Sequence, residues 1–177
     1  STGSTAGTFT LKSGTIETTS GYTSIASSAI GNTSGKACTV NIEDGTILVP
    51  DAAKDGRGIV ASNGMTLNVS GGEIIGGSYG IDLSTGASAT ITGGSIHSKT
   101  VESATNNKAY AIRTVGTPSL TIGGGETAPE ISGILIGSNT TNTDTPMIVL
   151  KNGNVGYFYN KTGTEFKVDA SQLTSVT

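Results

Sequence analysis

Residues 67–83 read Leu67-Asn-Val69-Ser-Gly-Gly72-Glu-Ile74-Ile-Gly-Gly-Ser-Tyr79-Gly-Ile81-Asp-Leu83, and this stretch decides the fold. Leu67 and Val69 alternate with polar residues, the pattern of a strand with one buried face. Gly72 then marks a sharp bend that needs positive φ or has no room for a Cβ. Ile74 opens a second short strand, and Tyr79 to Leu83 makes a third.

The first part of this phrase recurs along the chain: apolar, any, apolar, two turn-like residues, Gly, polar, apolar. It appears as Phe9-Thr-Leu11-Lys-Ser-Gly14-Thr-Ile16, as Val40-Asn-Ile42-Glu-Asp-Gly45-Thr-Ile47 and as Ala89-Thr-Ile91-Thr-Gly-Gly94-Ser-Ile96. A loosened copy, Leu120-Thr-Ile122-Gly-Gly-Gly125, reaches its next apolar strand residue near Ile131, and a last copy is Ile148-Val-Leu150-Lys-Asn-Gly153-Asn-Val155. The anchor glycines stand 22 to 31 residues apart. Gly58-Ile59 and Tyr110-Ala111-Ile112 repeat the third strand, and pairs such as Asn63-Gly64 lead back to the next copy.

Three short strands per repeat make one coil of a parallel β-helix. A single coil cannot bury its own Ile and Val side chains, but coils stacked at about 4.8 Å form continuous internal ladders. The leading ladder is expected to be Leu11, Ile42, Val69, Ile91, Ile122 and Leu150, with Ile16, Ile47, Ile74, Ile96, Ile131 and Val155 beyond the bend. The expected fold is therefore all-β, a right-handed parallel β-helix of about six coils with a short C-terminal cap. A β-sandwich also uses short strands and Gly-rich turns, but has no need of one phrase six times.

Composition agrees with this reading. The 177 residues suit one domain, rich in Gly, Ser and Thr, without Trp and with 13% charged residues. The regular Ile, Val and Leu positions exclude a disordered polar chain. A net charge of −3 without a basic stripe argues against nucleic acid as a partner. No apolar run has membrane-spanning length, so no membrane insertion is expected. Cys38 is alone, and with a single His97 it makes no zinc set; a small hydrophobe at a strand start is its expected role. The chain begins Ser-Thr-Gly, which points to a piece of a longer multidomain protein.

Residues 7–21, GTFTLKSGTIETTSG, and residues 67–83, LNVSGGEIIGGSYGIDL, resemble the β-helix repeats of pectate-lyase-like proteins, in particular their degenerate relatives in bacterial surface proteins and adhesins. The likeness is one of repeat grammar and covers residues 7–157. Residues 156–177 depart from it, and Gly156-Tyr-Phe-Tyr-Asn-Lys-Thr-Gly reads as a closing hairpin, a cap or the start of a linker within the single domain 1–177. The resemblance implies an extracellular location, secreted or on a cell surface.

It also raises polysaccharide lyases and glycoside hydrolases. Hydrolases need paired carboxylates at a set separation, and the lyases of this resemblance pair a basic residue with calcium-binding acids. Acids are scattered here, and the only close pair in a candidate loop is Asp51 and Asp55. His97, Arg57 and Arg113 are the available partners, with Arg57 in a different coil from the other two. The chain is read as no enzyme, with no metal and no cofactor. The calcium-roll phrase Gly-Gly-x-Gly-x-Asp is approached once, at Gly76 to Leu83, with one residue too many; a corner followed by a strand accounts for it.

The insertions between second and third strands say more. Six residues separate Ile74 from Ile81, eleven separate Ile47 from Ile59, and fifteen separate Ile96 from Ile112. The two long insertions should stand as walls about 10 Å apart, either side of a minimal turn and about one sugar wide. This groove is the expected ligand site: Asp51, Asp55, Arg57, Tyr79, Lys99, Glu102, Asn107 and Tyr110, with Tyr79 or Tyr110 offering a ring to a sugar face. A second surface competes, the outward Thr, Ser and Asn columns beside the leading ladder, which suit outward strand positions in any case. The function expected is a non-catalytic carbohydrate-binding or adhesion module, its partner a glycan or a host or surface glycoprotein. A structural stalk and a degenerate polysaccharide-degrading enzyme are the alternatives.

Overall fold

The computed structural model describes residues 6–18, 28–32, 36–50, 56–100, 109–137, 146–160 and 168–169, and among these there is no helix. The strands fall into three parallel sheets. The first holds β1 (Gly7–Leu11), β4 (Cys38–Ile42), β7 (Met65–Val69), β10 (Ser88–Ile91), β13 (Ser119–Ile122), β16 (Met147–Leu150) and β19 (Val168–Asp169), in that order. The second runs β2 (Thr15–Glu17), β5 (Thr46–Leu48), β8 (Glu73–Gly76), β11 (Ser95–Ser98), β14 (Glu130–Ile131) and β17 (Asn154–Val155). The third runs β3 (Ser28–Gly31), β6 (Arg57–Ala61), β9 (Tyr79–Ser84), β12 (Ile112–Val115), β15 (Ile134–Ile136) and β18 (Phe158–Asn160). Every strand pairs with its equivalent one coil away, which is the winding of a parallel β-helix and excludes a sandwich.

Register follows the repeat residue for residue. Leu11, Ile42, Val69, Ile91, Ile122 and Leu150 are successive partners in the first sheet. Ile16, Ile47, Ile74, Ile96, Ile131 and Val155 are successive partners in the second. Ile30, Ile59, Ile81, Ile112, Ile134 and Phe158 complete the third wall. The middle members are fully buried, each worth about 1.5–3 kcal/mol of hydrophobic burial. Coil lengths of 22 to 31 residues leave this register intact, because extra residues are placed between strands and not within them.

The bends explain the anchor glycines. Gly72 has φ +76°, and a Cβ there would lie 2.6 Å from the carbonyl oxygen of Gly45 in the preceding coil. The fifth copy differs: positive φ falls on Gly123 and Gly124 instead of Gly125, so its bend is displaced and β14 is only two residues long. Cys38 is half-buried beside the core, and Asn32 Nδ2 donates to its Sγ at 3.3 Å.

The C-terminal segment behaves differently from a hairpin. β18 pairs in parallel with β15, and Val168–Asp169 pair in parallel with Ile148–Val149. Where it is described, this segment continues the winding across the sixth coil. Phe158 supplies the apolar place and Gly156 the close approach, its Cβ position lying 2.4 Å from Ser132 O, so the repeat grammar extends in weakened form beyond 157.

Candidate functional site

The expected wall-and-floor arrangement rests on the turn between β8 and β9. Gly77 and Ser78 make this turn, and the roots of both long insertions bond to it. Ser78 N donates to Gly56 O at 2.9 Å on one side. On the other, Lys99 N donates to Gly76 O at 2.9 Å and Thr100 N to Gly77 O at 2.8 Å. The roots of the two insertions therefore stand in the coils either side of this turn, as their place in the repeat requires. Asp51, Asp55, Glu102 and Asn107 lie outside the described residues. Lys99 sits at the root of the fourth-coil insertion, just beyond β11.

Arg57, Tyr79 and Tyr110 come together on the outer side of the third sheet. In β9, Ile81 and Leu83 join the core, which turns the intervening Asp82 to the opposite side. Asp82 is nevertheless only 5% exposed. Its register partner Arg113 holds it bidentately, Nε to Oδ1 at 2.9 Å and Nη2 to Oδ2 at 2.6 Å. From β6, Arg57 Nη1 approaches the same Oδ2 at 2.9 Å. The Arg113 guanidinium also lies over the Tyr79 ring, 4.8 Å from its centroid.

A second buried cluster, separate from the core, continues this layer. Tyr79, Tyr110 and Leu135 form it, with Tyr157 and Tyr159 packed against them. Tyr110 is fully buried and meets Tyr157 edge-on, ring centroids 5.3 Å apart, and Tyr159 at 6.1 Å. Tyr157 Oη donates to the Ala109 carbonyl. Burial raises the Tyr157 phenol above its ordinary value, and the neighbouring Tyr110 adds to the shift.

This placement corrects the expected use of the rings. Tyr110 has no exposed face to offer a sugar, and Tyr79 is buried beneath Arg113; both serve packing. Asp82 was missed as a site residue, and Arg113 was weighed only for catalysis. A signal was present: Ile81-Asp82-Leu83 and Ile112-Arg113-Thr114 put opposite charges at the same phrase position in adjacent coils, where they become a cross-strand pair.

The cluster's electrostatics are those of a rigid clamp. Asp82 takes three close contacts from two guanidinium groups, so both of its carboxylate oxygens are engaged. Burial pushes the Arg57 guanidinium below its ordinary value; Asp82 opposes that shift and Arg113 reinforces it. Arg57 Nε is buried without a hydrogen-bond partner, a cost of about 1–3 kcal/mol for such a donor. Among the described residues no group of three His, Cys, Asp or Glu side chains is placed to hold a metal ion.

No protein-family model, curated protein or solved structure matches the chain.

Proposed function

We propose that the chain is a non-catalytic carbohydrate-binding or adhesion module of a secreted bacterial surface protein, holding its ligand at the edge where the second- and fourth-coil insertions enter the third sheet. One observation carries this reading: a root of each insertion is bonded to the same minimal turn, Gly77-Ser78, so both insertions are rooted on one corner of the scaffold. The Arg57–Asp82–Arg113 clamp lies near that turn and links β6, β9 and β12, the strands that follow the second-coil insertion, the turn and the fourth-coil insertion. A glycan seated there gains few polar contacts, and an affinity of roughly 0.1 to 1 mM, or about 4 to 5.5 kcal/mol, is expected. Many copies on one surface raise the effective affinity by avidity.

The structural stalk stands as a second reading. The outer columns of the first sheet favour it, because they satisfy themselves: Asn68 Nδ2 donates to Asn41 Oδ1 at 2.9 Å and Asn41 Nδ2 to Thr10 Oγ1 at 3.2 Å.

A glycan array followed by titration of the best ligand tests the proposal. Lys99→Ala and deletion of residues 101–107 should abolish binding while the melting temperature moves little. Tyr79→Ala should instead lower stability, because it removes a buried ring and the support under Arg113. Binding unaffected by both insertion changes would move the site elsewhere, and no binding to any glycan would favour the stalk.

A further inference from the structure

The outer side of the second sheet carries a concavity remote in kind from the clamp. It has a volume of about 430 Å³ and is lined by His97, Glu130, Ser132 and Asn154 with the backbone around Ile131, Val155 and Gly156. Its cause is a shrinking column of side chains. Ile75 and His97 are register partners, and Ser132 and Gly156 take the next two places, their amides donating to Ile96 O at 3.3 Å and Ile131 O at 2.9 Å. Side chains thus dwindle from Ile and His to Ser and Gly within four coils, and the vacated space is the groove. In the adjacent column Ser95, Glu130 and Asn154 are partners.

The lining chemistry is specific. Asn154 Nδ2 donates to Glu130 Oε1, and Ser95 Oγ contacts His97 Nε2. Ser132 Oγ is itself buried beneath the groove, without a hydrogen-bond partner, so Ser132 shapes the groove and does not present its hydroxyl to it. The groove thus offers a carboxylate that only accepts, and an imidazole and an amide that do both. Among the described residues no lysine or arginine lines it, so these residues offer no countercharge for an anion, and Glu130 repels one. Small-molecule sites of this volume hold ligands of sugar size.

We infer that this groove is a binding site for a neutral, hydroxyl-rich sugar, whose vicinal hydroxyls donate to the Glu130 carboxylate while its ring oxygens and hydroxyls accept from His97. It goes beyond the reading above, since it uses a different face and none of the residues assigned to the insertion edge.

The test is a titration with D-galactose, D-glucose and D-mannose, with D-galacturonate as the charged counterpart, followed by amide chemical-shift mapping. At least one neutral sugar should bind in the millimolar range, shifting amides at 130–132 and 154–156, while the uronate binds at least tenfold more weakly. His97→Ala and Glu130→Ala should each weaken neutral-sugar binding about tenfold or more with the melting temperature held. Lys99→Ala should leave it unchanged, which separates this site from the insertion edge. Absence of neutral-sugar binding at roughly 50 mM, equal or tighter uronate binding, or shifts confined to 76–79 would overturn the assignment, and the last result would leave the insertion-edge proposal standing.

Discussion

The inside of the solenoid and the outer side of its third sheet are both buried, but they are built on different principles. Inside, ladders of Ile, Val and Leu repeat one place in one phrase, and any coil could nearly replace its neighbour. Outside, Val60, Asp82, Arg113 and Leu135 are successive register partners in four coils with side chains of different chemistry, and Arg57 reaches the same Asp82 from the start of β6. The ladder is stabilised by sameness and the outer layer by complementarity. Sameness tolerates unequal coil lengths, whereas complementarity ties particular coils together, here the second, third and fourth through a single carboxylate.

The largest expected effect breaks the ladder. Val69 is 1% exposed, and Val69→Asp places an unpaired carboxylate among Ile42, Ile91 and their neighbours. Burial of that charge exceeds the domain's reserve, so the variant should fail to fold, with loss of the cooperative melt and of far-ultraviolet strand signal. Asn68→Asp on the opposite side of the same strand should cost only about 1 kcal/mol, the worth of its bond to Asn41. Equal tolerance of the two changes would mean that the strand register is wrong, since a slip of one residue exchanges the faces.

How far each region was legible follows from the same difference. Leu67, Val69, Gly72 and Ile74 announce themselves because the phrase returns at 40, 89 and 148, and repetition averages out local ambiguity. The first and second ladders came out residue for residue, including Ile131 in the loosened fifth coil. The outer cluster left no repeated phrase, because Asp82 and Arg113 each occur once and acquire meaning only when coils of different length are aligned. The burial of the Tyr79 and Tyr110 rings was hidden for a related reason: they stand just before Ile81 and Ile112, and no repeated phrase shows that Leu135, Tyr157 and Tyr159 pack there as a second layer. The two-residue β14 and the Ser132–Gly156 column could not be anticipated, since the Gly123–Gly124 bend displaces the repeat there.

A smaller effect tests the clamp. Asp82→Ala leaves the guanidinium groups of Arg57 and Arg113 facing each other at 12% and 17% side-chain exposure. Breaking a buried ionic contact by removing one partner costs about 3–5 kcal/mol. Asp82→Asn keeps the shape and an acceptor and should cost less. The triple change Arg57→Met, Asp82→Leu, Arg113→Met removes all the charges together and should recover most of the loss of Asp82→Ala in urea denaturation. If Asp82→Ala cost under about 1 kcal/mol, the cluster would be a solvated surface pair and not a link between coils.

The smallest effect concerns the aromatic end of the same layer and sharpens what burial does there. Tyr157→Phe keeps the edge-on contact with Tyr110 but removes the hydroxyl that donates to Ala109 O, a loss of about 1 kcal/mol at neutral pH. The phenol titrates above its ordinary value of 10.0 in the folded chain, so folding favours its neutral form. That contribution is fully present below the unfolded value and is lost as pH rises through the raised folded value. The wild type should therefore lose stability above pH ~10 by an amount the Phe variant does not share, and the gap between them should narrow in alkaline urea titrations. The lysines and the tyrosines not coupled to Tyr157 are common to both chains and cancel in the difference. A gap that stayed constant from pH ~8 to ~11 would place the Tyr157 hydroxyl in water, and the outer layer would end at Tyr110.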